Sequence, residues 1–423
     1  MNMDEWRSYK LGDIVDDIAM GPFGSNIKTD NFISSGVPVI RGSNLNEGYF
    51  EDNHFVFISE EKAQSLKRSL AFPDDLVFTH RGTIGQVGII PKDKHPKYLV
   101  SQSQMKLTVN KKYLHPRFLY YFFRSPIGQY ELLKNTSQVG VPAIASPTKS
   151  LKEIDISIPS LDVQLQIASI LSSLDEKIEL NRQIAQTLEA IAQAIFKEWF
   201  VDFNFPGATG EMQESELGEI PKGWRVGALS EVISIKHGFA FKGEFFSDEE
   251  TNDILLTPGN FKIGGGFNYS KFKYYKGEFP SEYTLNQGDI VVTMTDLSKD
   301  GDTLGYSALV PNIEGKRLLH NQRIGKILFS EKEFNHYIYF LLQQDDYRNF
   351  VLGSATGSTV RHTSPSRICE YRSVIPPVEI LNRFNLVIQP IIDMIEANFQ
   401  QIKTLTQLRD SLLPKLVKGE IKL

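Results

Sequence analysis

Two long stretches of the chain carry apolar side chains at alternating steps of four and three residues. The first runs from Ile167 to Trp199 and the second from Phe384 to Leu416. These steps place one apolar stripe along an α-helix, which is the pattern of helices that pack on a partner helix. The pattern predicts two long helices, over residues 161–202 and 378–423. A helix of this kind extends about 57 Å, which is longer than a small domain needs.

Matched positions form the predicted helix–helix seam. They are Leu171, Leu174, Ile178, Asn181, Leu188 and Ile195 in the first stretch, and Ile388, Ile391, Ile395, Asn398, Leu405 and Leu412 in the second. We expect the two seams to pack on each other, with Asn181 and Asn398 fixing the register at some cost in stability. Pro390 and Pro414 disturb the second pattern, and Arg409 interrupts its seam. The alternative is two unrelated amphipathic helices, each lying on its own domain.

Short runs of β-branched and aromatic residues occupy the segments before each long helix. VPVIRG (37–42), DLVFTH (75–80) and QVGIIP (86–91) are examples, and Gly, Pro and Asn punctuate them. Such runs are typical of strands. Helical stretches near 115–133 and 335–351 interrupt them. The pattern predicts a mixed α/β fold in which strands predominate.

The chain consists of two copies of this plan. WRSYKLGDI (6–14) returns as WRVGALSEV (224–232), DLVFT (75–79) as DIVVT (289–293), and IPSLDVQLQIASIL (158–171) as IPPVEILNRFNLVI (375–388). The offsets stay between 214 and 220 residues over nearly the whole chain, so the matches form an ordered series. An internal repeat of this kind indicates a duplicated architecture. The predicted segments are a first domain (1–160), a helix (161–202), an acidic Pro/Gly-punctuated linker (203–223), a second domain (224–377) and a C-terminal helix (378–423).

Composition narrows the class of protein. Cys369 is the one cysteine in 423 residues, which excludes a disulfide framework and a multi-cysteine zinc site and fits a reducing compartment. The sequence has no apolar stretch long enough to span a membrane, and its N-terminus is polar rather than a secretory signal. We therefore expect a cytoplasmic protein.

Charge is distributed unevenly along the chain. The net charge of −5 would by itself argue against a nucleic-acid partner. However, residues 62–152 hold 15 basic and 4 acidic residues, a net charge of +11, whereas residues 161–221 carry −8. A basic segment of this strength suits a polyanion surface. The alternative is an ordinary solvated face.

Motifs of the common enzyme classes are absent from the sequence. It contains no P-loop, no glycine-rich dinucleotide fingerprint after a strand, no H-E-x-x-H zinc motif and no G-x-S-x-G elbow. Taken together, these absences favour a binding protein over an enzyme, and we expect no catalytic and no metal-binding residues.

Several motifs resemble those of the specificity subunits of type I restriction–modification systems. They are GPFGSNIK (21–28), GVPVIRG (36–42), THRGTIGQVGIIP (79–91), LVSQSQM (99–105), IFKEWFVDF (195–203) and SLLPKLVKGEI (411–421). The resemblance covers essentially the full chain, in the order recognition domain, helix, recognition domain, helix. The second domain departs from the pattern, because TMTDLSKDGDT (293–303) stands where THRGT stood and no GPFGS follows Trp224. This difference suggests a different target for that half.

The resemblance implies a non-catalytic DNA reader. Its two α/β target-recognition domains would be related by a pseudo-twofold internal repeat and joined by two long antiparallel coiled-coil helices. Each domain would read one half of a split, asymmetric site in double-stranded DNA. The helices would set the spacing and dock two methyltransferase subunits. A restriction/motor subunit would join them, and S-adenosylmethionine, ATP and Mg would be bound by these partners rather than by this chain.

Polar and basic residues in the repeat-matched loops are the candidates for DNA contact. In the first domain they are Lys28, Arg41, Ser43, Asn44, His80, Arg81, Thr83, Gln86, Gln102 and Gln104; in the second they are Lys242, Asn260, Thr295, Lys299, Asn321, Arg323, Thr359 and Arg361. Arginine pairs with guanine and glutamine or asparagine with adenine, whereas lysine, serine and threonine usually hold phosphate. For each residue the alternative is a turn residue or a surface charge.

Two other hypotheses remain open at this point. The chain could be a structural adaptor that joins protein partners through its helices without touching DNA. It could also be a self-contained restriction or modification enzyme whose catalytic residues carry no recognisable motif.

Overall fold

The computed structural model describes residues 6–45, 55–137, 140–270, 272–357 and 359–423. The chain divides into two compact units. Unit 1 comprises the residues up to Asn181 together with Gln400–Leu423, and unit 2 comprises Arg182–Phe399. The two longest helices each contribute residues to both units.

The body of unit 1 contains twelve strands and four helices among its described residues. In chain order they are β1 (Arg7–Lys10), β2 (Val15–Met20), β3 (Val37–Ile40), β4 (Val56–Ile58), α1 (Glu60–Ser65), β5 (Leu70–Ala71), β6 (Leu76–Thr79), β7 (Val87–Ile89), β8 (Tyr98–Val100), β9 (Gln104–Val109), α2 (Pro116–Arg124), α3 (Pro126–Leu133), β10 (Thr136–Ser137), β11 (Ala143–Ile144), α4 (Pro147–Lys152) and β12 (Asp155–Ile158). The long helix α5 (Leu161–Phe200) follows.

The segment predicted as a linker forms a β-hairpin. Its strands are β13 (Met212–Ser215) and β14 (Gly218–Pro221), which pair antiparallel. Gly218, the first residue of β14 after the turn, has a φ of 93°, in the left-handed region that favours glycine.

The rest of unit 2 repeats the plan of unit 1. Its elements are β15 (Arg225–Ala228), β16 (Ile233–His237), β17 (Phe246–Ser247), β18 (Asp253–Leu256), β19 (Lys273–Tyr275), β20 (Thr284–Leu285), β21 (Ile290–Thr293), β22 (Thr295–Asp296), β23 (Ser307–Leu309), β24 (Arg317–His320), β25 (Ile324–Phe329), α6 (Asn335–Leu341), α7 (Asp345–Gly353), β26 (Arg361–His362), α8 (Pro365–Cys369) and β27 (Arg372–Ile375). The second long helix, α9 (Val378–Val417), ends the described fold and continues through Pro390 and Pro414.

The two units share their sheet topology. Unit 1 has one sheet in the order β2-β9-β6-β7 and a second in the order β4-β3-β8-β5. Unit 2 has the corresponding sheets β16-β25-β21-β23 and β19-β18-β24-β20, with β17 added at the edge of the latter. Each unit closes with an antiparallel pair of its first and last body strands, β1 with β12 and β15 with β27. The prediction of a mixed α/β fold is confirmed.

Alternating side chains in the central strand separate two cores in each unit. In β6, Leu76 and Phe78 face the aromatic residues of α2, whereas Val77 faces the second sheet. In β21, Ile290 and Val292 face α6, and Val291 faces the second sheet. All residues of both strands are buried, because each strand lies between two layers.

The long helices complete the helical layer of each unit. In unit 1, Leu171 of α5 and Leu416 of α9 are buried in the same core as Phe118. In unit 2, Phe196 of α5 and Phe384 of α9 share one core, with ring centroids 6.2 Å apart. Within unit 1 the two helices are antiparallel, because Asp175 contacts Arg409 while Asn181, further along α5, contacts Gln401.

Candidate nucleic-acid interface

Three loops of unit 1 begin at one edge of its two sheets. Strands β3 and β8 are parallel and pair Ile40 with Val100, so the loops that follow them start side by side. Strand β6 pairs antiparallel with β9 and places Thr79 opposite Gln104. The loop after β6 therefore begins where the loop after β8 ends. This topology brings together the candidates from residues 41–44, 80–86 and 102–104.

A chain of side-chain amides ties these loops to one another. The Thr79 hydroxyl donates to Gln86 Oε1 at 2.8 Å, and Gln104 Nε2 donates to Thr79 Oγ1 at 3.2 Å. Gln86 Nε2 then donates to the carbonyl oxygen of Gly42 at 3.1 Å. Gln104 also accepts a short hydrogen bond from Ser101. The network fixes the backbone of all three loops.

Glycine allows a fourth segment, GPFGSNIK, to approach these loops. A Cβ on Gly21 would lie 1.8 Å from the carbonyl oxygen of Ser101, and one on Gly24 would lie 2.6 Å from Oε1 of Gln102. No larger residue fits at Gly21 without moving backbone. Unit 2 repeats this approach, because a Cβ on Gly238 would lie 2.1 Å from the carbonyl oxygen of Asn321. Both glycines stand just after a strand, but sequence reasoning did not single them out.

The unit 1 candidates divide by exposure. Lys28, Ser43, Arg81, Thr83 and Gln102 are exposed, Arg41 and Gln86 are half-buried, and Asn44, His80 and Gln104 are buried. The exposed and half-buried side chains are those that a ligand could reach without moving the loops. Lys28 lies outside the amide network of Thr79, Gln86 and Gln104. Its backbone N–H donates to Oδ1 of Asn31 within its own turn.

His80 holds its loop rather than carrying a positive charge. Its Nε2 lies 3.0 Å from the carbonyl oxygen of Gln102, and its backbone N–H donates to Ser103. Burial lowers the pKa of His80 and outweighs the raising effect of that hydrogen bond, so the ring is neutral at pH 7. A neutral, buried imidazole does not hold phosphate electrostatically.

The segment VGVPAIASPTK borders the Arg81 loop. Arg81 and Ala143 form a β-bridge, and Ile144 donates its backbone N–H to the carbonyl oxygen of His80 at 2.9 Å. Val139 of this segment lies outside the described residues.

The unit 2 loop 294–303 is held by a carboxylate instead of amides. Asp296 accepts hydrogen bonds from the backbone N–H of Ser298 at 2.6 Å and from the hydroxyl of Thr303 at 2.6 Å. Burial acts to raise the pKa of Asp296, but these hydrogen bonds outweigh it and lower the pKa, so the carboxylate stays charged. Asp296 was not among the predicted residues, although the acidic sequence of this loop was a signal for it.

Four unit 2 candidates meet around this loop. Thr295 pairs with His362 across β22 and β26, and its hydroxyl lies 3.2 Å from Nδ1 of His362. Arg361 donates through Nε to the carbonyl oxygen of Lys299 at 3.2 Å. Arg323 joins them, because its carbonyl oxygen accepts from the backbone N–H of Met294 at 2.9 Å.

The unit 2 candidates also divide by exposure. Lys242, Lys299, Arg323 and Thr359 are exposed, Arg361 is half-buried, and Asn260, Thr295 and Asn321 are buried. The contacts described for Lys242 place it at the start of the separate turn Gly243–Phe245.

Buried asparagines have the same structural task in both units. Asn44 Oδ1 accepts from the backbone N–H of Arg41 at 2.9 Å, and Asn260 Oδ1 accepts from that of Thr257 at 2.9 Å. Each closes a single 3₁₀ turn after the corresponding strand. Asn321 similarly accepts from the backbone N–H of Arg323 at 2.9 Å. These three side chains position the loops instead of facing solvent.

The predicted seam residues differ in burial. Leu171, Ile178, Asn181 and Ile388 are buried, and Leu174, Leu188, Ile195, Ile391, Ile395, Asn398, Leu405 and Leu412 are half-buried. Asn181 Nδ2 donates to Gln401 Oε1 at 3.1 Å, whereas Asn398 Nδ2 donates to the carbonyl oxygen of Met394 in its own helix at 2.8 Å. The two asparagines therefore make different contacts.

The described parts of the chain offer no cluster of three or more His, Cys, Asp or Glu side chains suited to a metal ion. No helix in the described ranges is both long enough and apolar enough to cross a membrane.

Comparison with known proteins shows what this chain is similar to. The sequence profile of the type I restriction modification DNA specificity domain matches residues 3–190. The MjaIX specificity subunit of Methanocaldococcus jannaschii is 29% identical over 438 aligned positions, which cover 99% of this chain and 94% of the relative. The HindI specificity subunit of Haemophilus influenzae is 24% identical, with 99% of this chain and 100% of the relative covered.

Residues 3–190 thus match the type I restriction modification DNA specificity domain, and the chain is similar over nearly its full length to specificity subunits of these systems. The resemblance inferred from the motifs is thereby confirmed. The crystal structure of a family member, the S subunit from M. genitalium, superposes with a TM-score of 0.59 at 16% identity and covers 98% of this chain and 97% of that subunit. At this identity the likeness concerns the fold.

Proposed function

We propose that this chain is the DNA-specificity subunit of a type I restriction–modification complex and that each unit reads one half of a split, asymmetric site. The observation that carries the proposal is the shared strand order of the two units combined with different polar side chains in their equivalent loops. One scaffold used twice can present two different reading surfaces, which is what an asymmetric site requires.

In unit 1, the accessible side chains around the amide network would contact DNA. Arg81 and Gln102 are exposed and suit guanine and adenine edges in the major groove. Ser43 and Thr83 are exposed and suit phosphate. The buried Gln104 and His80 would act indirectly by holding these loops.

In unit 2, Lys299, Arg323 and Arg361 would supply the positive charge of the reading surface, with Thr359 two residues before Arg361 in sequence. The carboxylate of Asp296 would keep the backbone of this loop fixed when DNA is absent. A rigid loop loses less conformational entropy on binding, which favours selective contact.

The long helices would set the spacing between the half-sites and dock partner subunits. The domain plan that follows is two target-recognition domains, residues 1–160 and 224–377, joined by antiparallel helices as a coiled coil. Half-sites read from one face of DNA lie about 34–36 Å apart or at a multiple of that distance. Methyltransferase subunits and a restriction/motor subunit would bind S-adenosylmethionine, ATP and Mg, and this chain would have no catalysis of its own.

The decisive experiment is to map methylated adenines across the genome in cells that carry this chain with its methyltransferase partner. A two-part motif with a constant spacer is the expected result. A continuous motif, or methylation unchanged when this chain is deleted, would contradict the proposal. Methyl transfer to DNA by the purified chain alone would instead identify a self-contained enzyme.

The spacing role has its own test. Removing one helical turn from each long helix at equivalent positions is expected to change the spacer length that the complex accepts. An unchanged spacer would show that the helices do not set it.

A further inference from the structure

Phe23 is an exposed aromatic residue in a segment that is attached to the amide network of unit 1. Its side chain is 76% exposed. It lies three residues after the end of β2, and Gly21 of the same segment donates its backbone N–H to the carbonyl oxygen of Gln104 at 2.8 Å. The segment that carries this ring therefore belongs to the loop edge where the candidates for DNA contact lie.

The backbone on both sides of Phe23 is fixed. Pro22 is buried, and its ring restricts the backbone before Phe23. The carbonyl oxygen of Phe23 accepts from the backbone N–H of Asn26 at 2.8 Å, which closes the 3₁₀ turn that follows. The side chain of Gln102 lies against Gly24, because a Cβ there would be 2.6 Å from its Oε1. A ring on a fixed backbone loses little conformational entropy when it contacts a ligand.

Unit 2 uses its aromatic residues at this place for its own core. Aligning the glycines that approach the neighbouring loop in each unit pairs Phe23 with Ala240. On either side of Ala240, Phe241 is buried and Phe239 is half-buried, with ring centroids 5.1 Å apart. Unit 1 thus exposes a phenylalanine where unit 2 exposes only a methyl group.

The surroundings of Phe23 indicate what covers its ring. Lys28 of the same segment is exposed, and so are Arg81 and Gln102 in the neighbouring loops. Residues 62–152, which supply those two loops, carry a net charge of +11. The core of a protein–protein interface is depleted of charged residues, whereas a basic surface binds a polyanion. An exposed ring among cationic and amide groups therefore suits a base of DNA better than a protein groove.

We propose that Phe23 contacts the 5-methyl group of a thymine and is a specificity-determining residue of the half-site that unit 1 reads. The inference rests on the proposed function. Thymine presents this methyl group in the major groove, where apolar side chains such as phenylalanine contact it. Burial of one methyl group corresponds to about a fourfold change in affinity. Ala240 offers no aromatic ring for such a contact in unit 2.

The test removes single methyl groups from the DNA. Deoxyuridine replaces each thymine of the mapped site in turn, which leaves every hydrogen-bonding group in place, and the affinity of the assembled complex is measured. The wild type should bind about fourfold more weakly when one particular thymine is replaced, in the half-site whose recognition Arg81→Ala weakens. Phe23→Ala should bind the unmodified duplex at least fourfold more weakly and lose nothing further at that thymine, because the two changes remove the same contact.

A matched control is another exposed phenylalanine of unit 1. Phe72 is 47% exposed and precedes β6, at the opposite end of that strand from Thr79 and the amide network. Phe72→Ala should keep the full fourfold effect of deoxyuridine. Thymines of the other half-site should respond equally in the wild type and in Phe23→Ala, whose circular dichroism spectrum should be native.

Four results would overturn the inference while leaving half-site reading by unit 1 intact. They are a unit 1 half-site without thymine on either strand, no thymine at which deoxyuridine weakens the wild type, an equal deoxyuridine effect in wild type and Phe23→Ala, and failure of Phe23→Ala to assemble with its partner subunits without DNA. The last result would place the ring against a protein. Absence of any split site would instead remove the proposed function, and this inference with it.

Discussion

The two units solve the same structural problems with different polar groups. Unit 1 fixes the loop after its central strand with the amides of Gln86 and Gln104, whereas unit 2 fixes the corresponding loop with the carboxylate of Asp296. Where its α/β body meets α5 and α9, unit 1 has a charge cluster of Arg124, Asp175 and Arg409. Unit 2 has a cavity at the equivalent place, where the repeat aligns Gln343, Ile392 and Ala192 with those three residues. The strand order is the same in both. The difference teaches that the apolar layers define the fold, while the polar groups at loops and junctions can be exchanged between copies.

Breaking the charge cluster of unit 1 should have the largest effect on stability. Arg409→Ala leaves Asp175 buried with one of its two arginines, so the free energy of unfolding of unit 1 should fall by about 3 kcal/mol. Amide hydrogen exchange in β9 measures this change locally. Installing the unit 2 residues together, Arg124→Gln, Asp175→Ile and Arg409→Ala, should cost no more than Arg409→Ala alone, because no buried charge remains. A much larger loss in the triple variant would contradict this account.

The stability of unit 2 should depend on pH through a buried histidine that unit 1 lacks at the equivalent position. His320 is buried where the paired strands of unit 1 have Val100. Burial lowers the pKa of His320 to about 4, against the raising effect of its hydrogen bond to Ile324. The unfolded chain protonates this histidine near pH 6.5, so its contribution is fully present above that pH and is lost as the pH falls towards 4.

His320→Val should therefore reduce the acid sensitivity of unit 2. Between pH 7 and pH 5, the wild type should lose about 2 kcal/mol more unfolding free energy than the variant. Hydrogen exchange in β25 at the two pH values measures the difference. An identical loss in both proteins would show that His320 is protonated in the folded state at pH 5.

Removing one exposed arginine should weaken recognition of one half-site and leave recognition of the other unchanged. Arg81→Ala is expected to weaken binding about tenfold when the unit 1 half-site is correct, because one bidentate base contact is lost. Base changes in the other half-site should have the same effect on variant and wild type. Affinities of the assembled complex for duplexes altered in one half at a time provide the measurement. Equal loss of discrimination at both halves would refute the assignment of one unit to one half-site.

The smallest expected loss of stability comes from removing a turn-closing asparagine, and it should be equal in the two units. Asn44→Ala and Asn260→Ala each remove the side chain that closes a 3₁₀ turn, at a cost of about 1 kcal/mol. Hydrogen exchange at the backbone N–H groups of Arg41 and Thr257 reports each loss. Strongly unequal costs would mean that the two turns are not equivalent.

Local sequence patterns were sufficient to predict the helices and much of the strand content. The alternating steps of four and three residues predicted helices that run over Leu161–Phe200 and Val378–Val417. Both expected helical stretches are two helices each. Near 115–133, Ser125 accepts from the backbone N–H of Gly128 and begins a new helix at Pro126; near 335–351, the chain forms α6 and α7. The acidic, proline-punctuated segment 203–223 contains a hairpin, whose pairing its composition did not reveal.

The candidate site was predictable only in outline. The sequence named the loops around Arg81 and Gln102 separately; the structure places them side by side, because β6 pairs with β9 and puts Thr79 opposite Gln104. Exposure could not be deduced, since a polar residue in a loop serves equally well as a turn cap or as a contact. Asn44, His80, Gln104, Asn260, Thr295 and Asn321 are all buried.

The sequence by itself determined the duplication, the long helices, the segregation of charge and the resemblance to specificity subunits, because each of these is written in local patterns or in motifs. Only the tertiary structure decided which side chains are buried and what fills the helix junctions. Asp175 and Arg409 are separated by 234 positions, and their contact depends on helices that meet only after folding. The same is true of the cavity lined by Ala192, Gln343 and Ile392, whose chemistry is set by residues from three distant segments.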